Sequence, residues 1–131
     1  MTTRLATDDE IAKWDELLVQ NPDGGNVFQS SKLAETKRAN GWTPRYLFID
    51  SLAVTVLEKP VLLHGKFWYI PKGPGVTDVN ALLPLLPELK EFAAKQGVFA
   101  VKIEAEIPEQ DETKAQLVKA GLVRTRAVQP N

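Results

Sequence analysis

The stretch PRYLFIDSLAVTVLEKPVLLHGKFWYIPKGPG, residues 44–75, decides the fold class. It holds three β-rich runs, and both interruptions, Asp50-Ser51 and His64-Gly65, are typical of turns. Because short turns join antiparallel neighbours, this pattern predicts an antiparallel meander of three strands. The last run ends in PKGPG, where prolines fix the backbone and glycines permit positive φ, so we expect Lys72 to be held at a strand end.

Two helices are predicted before the meander. Thr7 precedes three acidic residues and apolar residues at helical spacing, which indicates an N-capped amphipathic helix that ends near Asn21-Pro22. Ser30 or Ser31 can cap a second, shorter helix that stops at Asn40-Gly41.

Helices and strands alternate after the meander. A leucine-rich helix is predicted from about Pro87 to Gln96-Gly97, followed by a strand, VFAVKIEAEI, over residues 98–107. A helix over 109–121 and a strand over 122–128 complete the order ααβββαβαβ. This order predicts an α/β (α+β) fold, a mixed sheet with an antiparallel front half and helices on its faces.

Composition limits the classes of function. The 131 residues fit one domain, and 16 Lys and Arg against 17 Asp and Glu leave a net charge of −1, so any anionic ligand must be met by a local basic cluster. There is no cysteine, which excludes thiolate catalysis and disulfides. No apolar run is long enough to span a membrane and no signal peptide is evident, so we expect a cytoplasmic protein.

Several polar residues are candidates for a site. His64 is the single histidine, and its place beside a glycine predicts an exposed turn residue rather than a metal ligand. Glu104 lies toward the end of a predicted inner strand, where α/β folds bind ligands. Lys72 can be functional or part of a structural turn. A solvated basic face explains a group around the second helix and first strand, namely Lys32, Lys37, Arg38 and Arg45.

Neither GxGxxG nor GxxxxGK[ST] occurs, and no glycine-rich pyrophosphate loop joins a strand to a helix. The sequence therefore supports neither a nucleoside triphosphate-dependent nor a coenzyme A-dependent reaction, and it predicts no cofactor and no metal. A coenzyme A-dependent acetyltransferase is disfavoured for the same reason.

Three segments in a fixed order carry a family resemblance: NVFQSSKLAETKRANGW at 26–42, YIPKGPGV at 69–76 and the closing GLVRTRAVQP at 121–130. With the strand VFAVKIEAEI between the last two, the succession resembles the amino-terminal half of the Fem family. These are bacterial aminoacyltransferases that build peptidoglycan interpeptide bridges from aminoacyl-tRNA. The resemblance implies that residues 1–131 form a single GNAT-like domain, the first lobe of a two-lobe enzyme.

The resemblance also implies roles for four residues. Lys37 would offset the diphosphate charge of a peptidoglycan precursor, and Phe99, at a position where the family has tyrosine, would pack on that precursor. Glu104 would be the catalytic group that orients or deprotonates the acceptor amine, and Lys72 would lie near the channel.

On this interpretation the chain binds a UDP-linked or lipid-linked muramoyl pentapeptide, while aminoacyl-tRNA binds through a second lobe. We expect the isolated chain to transfer little or nothing, and to need a partner lobe or a second copy of itself. The implied process is cell wall biogenesis, and with it cell shape. The alternative is a non-catalytic GNAT-like module that only binds or packs against a partner.

Overall fold

A computed structural model describes residues 1–105 and residue 107. The sheet has five strands: β1 (Thr3–Leu5), β2 (Thr43–Ile49), β3 (Leu52–Val61), β4 (Gly65–Ile70) and β5 (Val98–Ile103). The helices are α1 (Asp8–Ala12), α2 (Trp14–Leu18), α3 (Ser31–Thr36), α4 (Val79–Leu82) and α5 (Leu85–Lys95). Two 3₁₀ turns, Val27–Gln29 and Lys37–Asn40, flank α3.

The strands lie in the order β1-β2-β3-β4-β5. Neighbours are antiparallel from β1 to β4, whereas β5 is parallel to β4. The predicted meander and the α/β fold with a mixed sheet and an antiparallel front half are therefore confirmed. The parallel pair requires a crossover, which α4 and α5 supply.

Local capping explains where the first helices begin. Thr7 and Glu10 form a reciprocal capping box at the start of α1, and the Ser30 hydroxyl accepts from the Leu33 N–H at the start of α3. The first predicted helix is divided at Lys13, which has a non-helical backbone. Gly41, at φ 88°, ends the second helical region where the sequence predicts.

Two predicted element boundaries need correction, and two further predicted elements lie outside the described residues. α5 begins at Leu85 rather than Pro87, since Pro87 lies in the first turn, where a backbone N–H has no intrahelical partner to lose. β5 ends at Ile103, not at 107. The helix predicted over 109–121 and the strand over 122–128 lie outside the described residues.

The strand β1 was not predicted. It has only three residues, and it pairs Thr3 with Ile49 and Leu5 with Leu47 on β2. So short a run carries almost no period-2 signal, and its place is set by the edge of β2 rather than by its own sequence.

Helices cover both faces of the sheet. On one face α4 and α5 pack on a large apolar core, which includes Leu47, Ile49, Val54, Val56, Trp68, Ile70, Leu82 and Leu89. On the other face α2 covers Tyr46, Phe48 and Ala53, and α3 places Ala34 against Leu57 and Tyr69. The edge of this second face, beyond α3, is where the polar candidates lie.

Candidate functional site

The parallel pairing of β4 and β5 brings Lys72 and Glu104 together. Each residue lies just beyond the carboxyl end of its strand, and parallel strands end at the same edge of a sheet. Lys72 Nζ is 3.3 Å from Glu104 Oε1, and the Tyr69 hydroxyl donates to Glu104 Oε2 at 2.8 Å. The side chains of Lys72 and Glu104 are 29% and 15% exposed. Glu104 is thus an oriented, part-buried carboxylate that solvent can still reach.

Tyr69 is the protonated partner in this group. Burial raises the pKa of its phenol, and the hydrogen bond to Glu104 and the charge of that carboxylate raise it further. The phenol therefore stays protonated at neutral pH and donates to the carboxylate.

The loop that carries Lys72 is fixed by Gln29, whose side chain is only 1% exposed. Gln29 Nε2 donates to the carbonyls of Pro71 at 2.6 Å and Thr55 at 3.1 Å, while its Oε1 accepts from the Thr55 N–H at 2.8 Å. A Cβ at Gly73 would lie 3.0 Å from the Gln29 amide. Glycine is therefore needed for the loop to approach Gln29 this closely.

Lys72 has a backbone φ of 51°, in the left-handed region that residues with side chains rarely adopt. The following Gly73-Pro74 peptide is cis. Farther along, Gly75 accepts a hydrogen bond from the Asp23 N–H at 3.2 Å through its carbonyl. The sequence-based expectation that PKGPG holds Lys72 at a strand end is confirmed.

Four aromatic side chains form one surface beside this loop, which we call the aromatic wall: Trp42, Phe67, Tyr69 and Phe99. The Trp42 ring is 6.4 Å from Phe67 and 6.3 Å from Tyr69, and Phe67 is 6.4 Å from Phe99. Lys59 Nζ lies 4.7 Å from the centre of the Trp42 ring, and Lys102 Nζ lies 5.6 Å from that of Tyr69. The wall therefore combines apolar rings, tilted by 42–52° to one another, with ammonium groups.

A bulge in the β4–β5 pairing places Phe99 on this wall. Lys66 pairs with Val98 but Phe67 pairs with Ala100, so Phe99 is an extra residue. Val98 is buried in the core under α5, whereas Phe99 is 49% exposed and contacts Phe67. Without the bulge, strict alternation would separate Phe99 from the face that carries Lys102 and Glu104.

Lys37 lies beside the wall, at the end of α3. Its side chain is half-buried, and its carbonyl accepts from the Trp42 N–H at 3.3 Å. The predicted basic face is divided, however. Arg38 pairs with Glu35 at 2.8 Å beside α3, while Arg45 pairs with Glu58 at 3.0 Å on the face that α5 covers.

The structure thus brings Lys72 and Glu104 into contact, places Phe99 on the adjoining wall and sets Lys37 next to Trp42. His64 is an exposed turn residue, as predicted, and its ring lies 5.5 Å from Phe99. The sequence interpretation missed Tyr69, Trp42 and Gln29 as parts of the site. For Tyr69 a signal was available, since it follows Phe67 by two residues and must share its face of the strand.

Within the described residues, no group of three His, Asp or Glu side chains is placed to hold a metal ion. No helix in that same part of the chain is both long and apolar enough to cross a membrane.

The model of the FemAB family matches residues 8–125. The chain belongs to the FemAB family. The family to which the sequence was expected to belong is therefore confirmed.

Curated FemAB relatives are longer than this chain. It is 32% identical over 101 residues to a lipid II:glycine glycyltransferase of Staphylococcus aureus (strain MRSA252), a match that covers 71% of this chain and 24% of that protein. The same enzyme from the bovine strain RF122 / ET3-1 is 30% identical over 100 residues, or 70% and 24% of the two chains. The chain matches about a quarter of the length of these relatives.

Among solved structures, the chain is similar to a transcriptional regulator from Bacillus halodurans C-125, with a TM-score of 0.47 and 11% identity. The alignment covers 98% of this chain and 97% of that one.

Proposed function

We propose that this FemAB chain is the precursor-binding lobe of an aminoacyl-tRNA-dependent aminoacyltransferase that extends the stem peptide of cell-wall precursors. The observation that carries the proposal is the Lys72–Glu104–Tyr69 group beside the aromatic wall. It offers a fixed carboxylate, a cation and aromatic rings at one sheet edge, which suits a large anionic glycopeptide that also carries an amine.

In the proposed reaction, the free amine of the stem peptide attacks the ester carbonyl of aminoacyl-tRNA. The new C–N bond forms, the ester C–O bond breaks, one proton leaves the nitrogen and one is taken up by the ribose oxygen. Because an amide is more stable than the ester, the protein mainly has to position the amine and accept its proton. Glu104 has this role, and Tyr69 and Lys72 hold its two oxygens in place.

The remaining contacts follow from chemistry at the wall. Lys37 is proposed to offset the precursor diphosphate, since its backbone carbonyl accepts from the Trp42 N–H and so places this lysine at the edge of the wall, where an ammonium could meet phosphate oxygens. Phe99, half exposed, is proposed to pack on the sugar or peptide. Lipid II appears in the names of the relatives, which supports a lipid-linked acceptor.

The chain matches a quarter of the length of those relatives, so we propose that aminoacyl-tRNA binds through a second lobe and that this chain alone transfers little. A partner lobe or a second copy would complete the cleft. Because aminoacyl-tRNA is a cytoplasmic substrate, the proposal places the reaction in the cytoplasm, where it would contribute to wall synthesis and cell shape.

Calorimetric titration with UDP-muramoyl pentapeptide tests the precursor site, since this soluble probe carries both the diphosphate and the stem peptide. We expect binding that is weakened at least roughly tenfold by Lys37→Ala and by Glu104→Gln. Lys32→Ala, on the exposed side of α3, and Glu91→Gln, on exposed α5 surface, are matched controls that should bind as the wild type does.

The alternative function is a packing module without precursor affinity, and the exposure of Phe99 is the observation that favours it. Equal, measurable affinity in the wild type and both site variants would reject Lys37 and Glu104 as the precursor site, and no heat of binding in any of them would support this alternative. A gain of binding when a second lobe is added would instead show a cleft shared between lobes.

A further inference from the structure

The β3–β4 hairpin ends in an apolar tip, residues 60–65, made of the end of β3, the turn at 62–64 and the first residue of β4. All six residues are exposed, and Leu62 and Leu63 are 86% and 94% exposed. Leu63 has φ 69°, a backbone conformation that disfavours a branched apolar residue and that asparagine or glycine adopts more readily. Neither exposure nor backbone geometry explains why two leucines occupy this turn in water.

The strand residues next to the hairpin tip are cationic. Lys59 on β3 and Lys66 on β4 flank it. In the antiparallel pairing Lys59 lies opposite Phe67, and Lys66 lies opposite Pro60. One carboxylate, Glu58, is shared by two cations: it pairs with Arg45 at 3.0 Å and lies 4.0 Å from Lys66 Nζ, which also donates to the Gln96 carbonyl at 3.2 Å. Lys59, Lys66 and Arg45 therefore outnumber the single carboxylate Glu58, so the two exposed leucines lie beside a local excess of positive charge in a chain whose net charge is −1.

We propose that the hairpin tip inserts into the surface of an anionic lipid bilayer. The tip is convex and narrow, so it lacks the flat area of a stable protein interface, but it fits a fluid surface that closes around it. Apolar side chains at the point and cations behind it match the order of layers in such a membrane, with acyl chains below and anionic headgroups above.

The hairpin tip lies at one end of the aromatic wall, so its insertion into a membrane would bring the candidate site close to the lipid headgroups. The His64 ring on the tip lies 5.5 Å from that of Phe99, tilted by 59°, and Phe99 adjoins Phe67, so the aromatic wall begins at the tip. From Gly65 to Tyr69 the strand rises about 13 Å. A membrane at the tip would therefore hold the sheet edge near headgroup level, within reach of a diphosphate-linked sugar attached to a lipid. The proposal goes beyond the proposed function, and its test uses no precursor.

Co-sedimentation with vesicles tests it. One set contains equal parts of phosphatidylcholine and phosphatidylglycerol, and the other contains phosphatidylcholine alone. We expect the wild-type chain to bind the anionic vesicles, and Leu62→Ser combined with Leu63→Asn to weaken that binding roughly tenfold or more. Asparagine tolerates the left-handed backbone at position 63, so the double variant should fold at least as well as the wild type.

Val27→Ser is the matched control, because Val27 is 66% exposed on the 3₁₀ turn before α3, outside the hairpin tip, and its loss should not change vesicle binding. Lys66→Gln should weaken binding to anionic vesicles, and added salt should do the same. A Leu62→Trp variant should show additional fluorescence that brominated acyl chains quench.

Equal vesicle binding by the wild type and the double variant would overturn the proposal, as would no binding by the wild type. So would light scattering that shows a dimer which the double variant abolishes, since the tip would then contact a second copy. If the wild-type chain bound anionic vesicles but showed no binding of UDP-muramoyl pentapeptide in the separate titration, the proposed function would be rejected and the membrane contact would stand.

Discussion

The ammonium of Lys72 lies 3.3 Å from Glu104, although the backbone of Lys72 is held at φ 51°. A left-handed backbone costs a residue with a Cβ about 1 kcal/mol, and an ion pair that is partly exposed returns no more than about that amount. The pair therefore gives the fold little net stability. The left-handed backbone of Lys72 is explained better by the orientation that its ammonium imposes on the Glu104 carboxylate than by any gain in stability of the fold.

Replacing Lys72 by glycine and by alanine separates stability from function. Both variants lose the ammonium, but only glycine adopts the left-handed backbone without strain, so we expect Lys72→Gly to be more stable than Lys72→Ala by about 1 kcal/mol. Urea unfolding of the two variants measures the difference. Precursor affinity, in contrast, should fall equally in both. If the alanine variant were the more stable of the two, the backbone assignment at Lys72 would be wrong.

Alkaline titration should show no tyrosinate near pH 10 in the folded protein. Both tyrosines have a raised pKa, Tyr46 through burial and its bond to Glu35, and Tyr69 through burial and its bond to Glu104. A raised folded pKa contributes stability that is fully present below the unfolded value of about 10 and is lost as the pH rises beyond it. Tyrosinate absorbance should therefore appear only on unfolding.

Tyr46→Phe and Tyr69→Phe assign that signal, because each leaves a single tyrosine. Ionisation of Tyr69 at its ordinary pKa in folded Tyr46→Phe would mean that its hydroxyl does not donate to Glu104 in solution.

Gln29→Ala should lower the free energy of unfolding by about 3 kcal/mol, because it leaves the Thr55 N–H and the Pro71 and Thr55 carbonyls buried without their side-chain partner. Urea denaturation measures the loss. Gln20→Ala, at an exposed position, is the control and should stay within about 0.5 kcal/mol of the wild type. A loss as small as that of the control would show that the loop holds its own conformation without Gln29.

The lowered pKa of Glu58 predicts that the protein loses stability in acid. Burial acts to raise its pKa, but hydrogen bonds from Arg45 and Trp68 and the charges of Arg45 and Lys66 outweigh that effect and lower it. A lowered folded pKa contributes stability present above the unfolded value of about 4.3 and lost as the pH falls through the folded value. The stability advantage of the wild type over Glu58→Gln should therefore shrink below about pH 4. An advantage that stayed constant would contradict the pairing.

Patterns that act over a few residues predicted the fold well. The meander, the Thr7 and Ser30 caps and the PKGPG turn follow from side-chain alternation, capping chemistry and backbone restriction, all of which are local. β1 could not be predicted in this way, because three residues on a sheet edge take their conformation from β2.

The site was predictable only in part, for a similar reason. Lys72 and Glu104 each follow a strand, so the sequence places both at strand ends, but their contact depends on β5 lying parallel beside β4. Phe99 depends on a one-residue bulge that no alternation pattern shows. Gln29 appears in sequence as an ordinary polar residue, and its importance comes from two carbonyls that are distant along the chain.

The parallel pairing of β4 with β5 also bears on the order in which the protein assembles. β2, β3 and β4 are joined by short turns and can zip together early, with little loop-closure entropy to overcome. Lys72 and Glu104 meet only after the whole α4–α5 crossover has closed, so their contact belongs to the late, non-local part of folding. A chain emerging from the ribosome would therefore complete its hairpins before the Lys72–Glu104 contact can form.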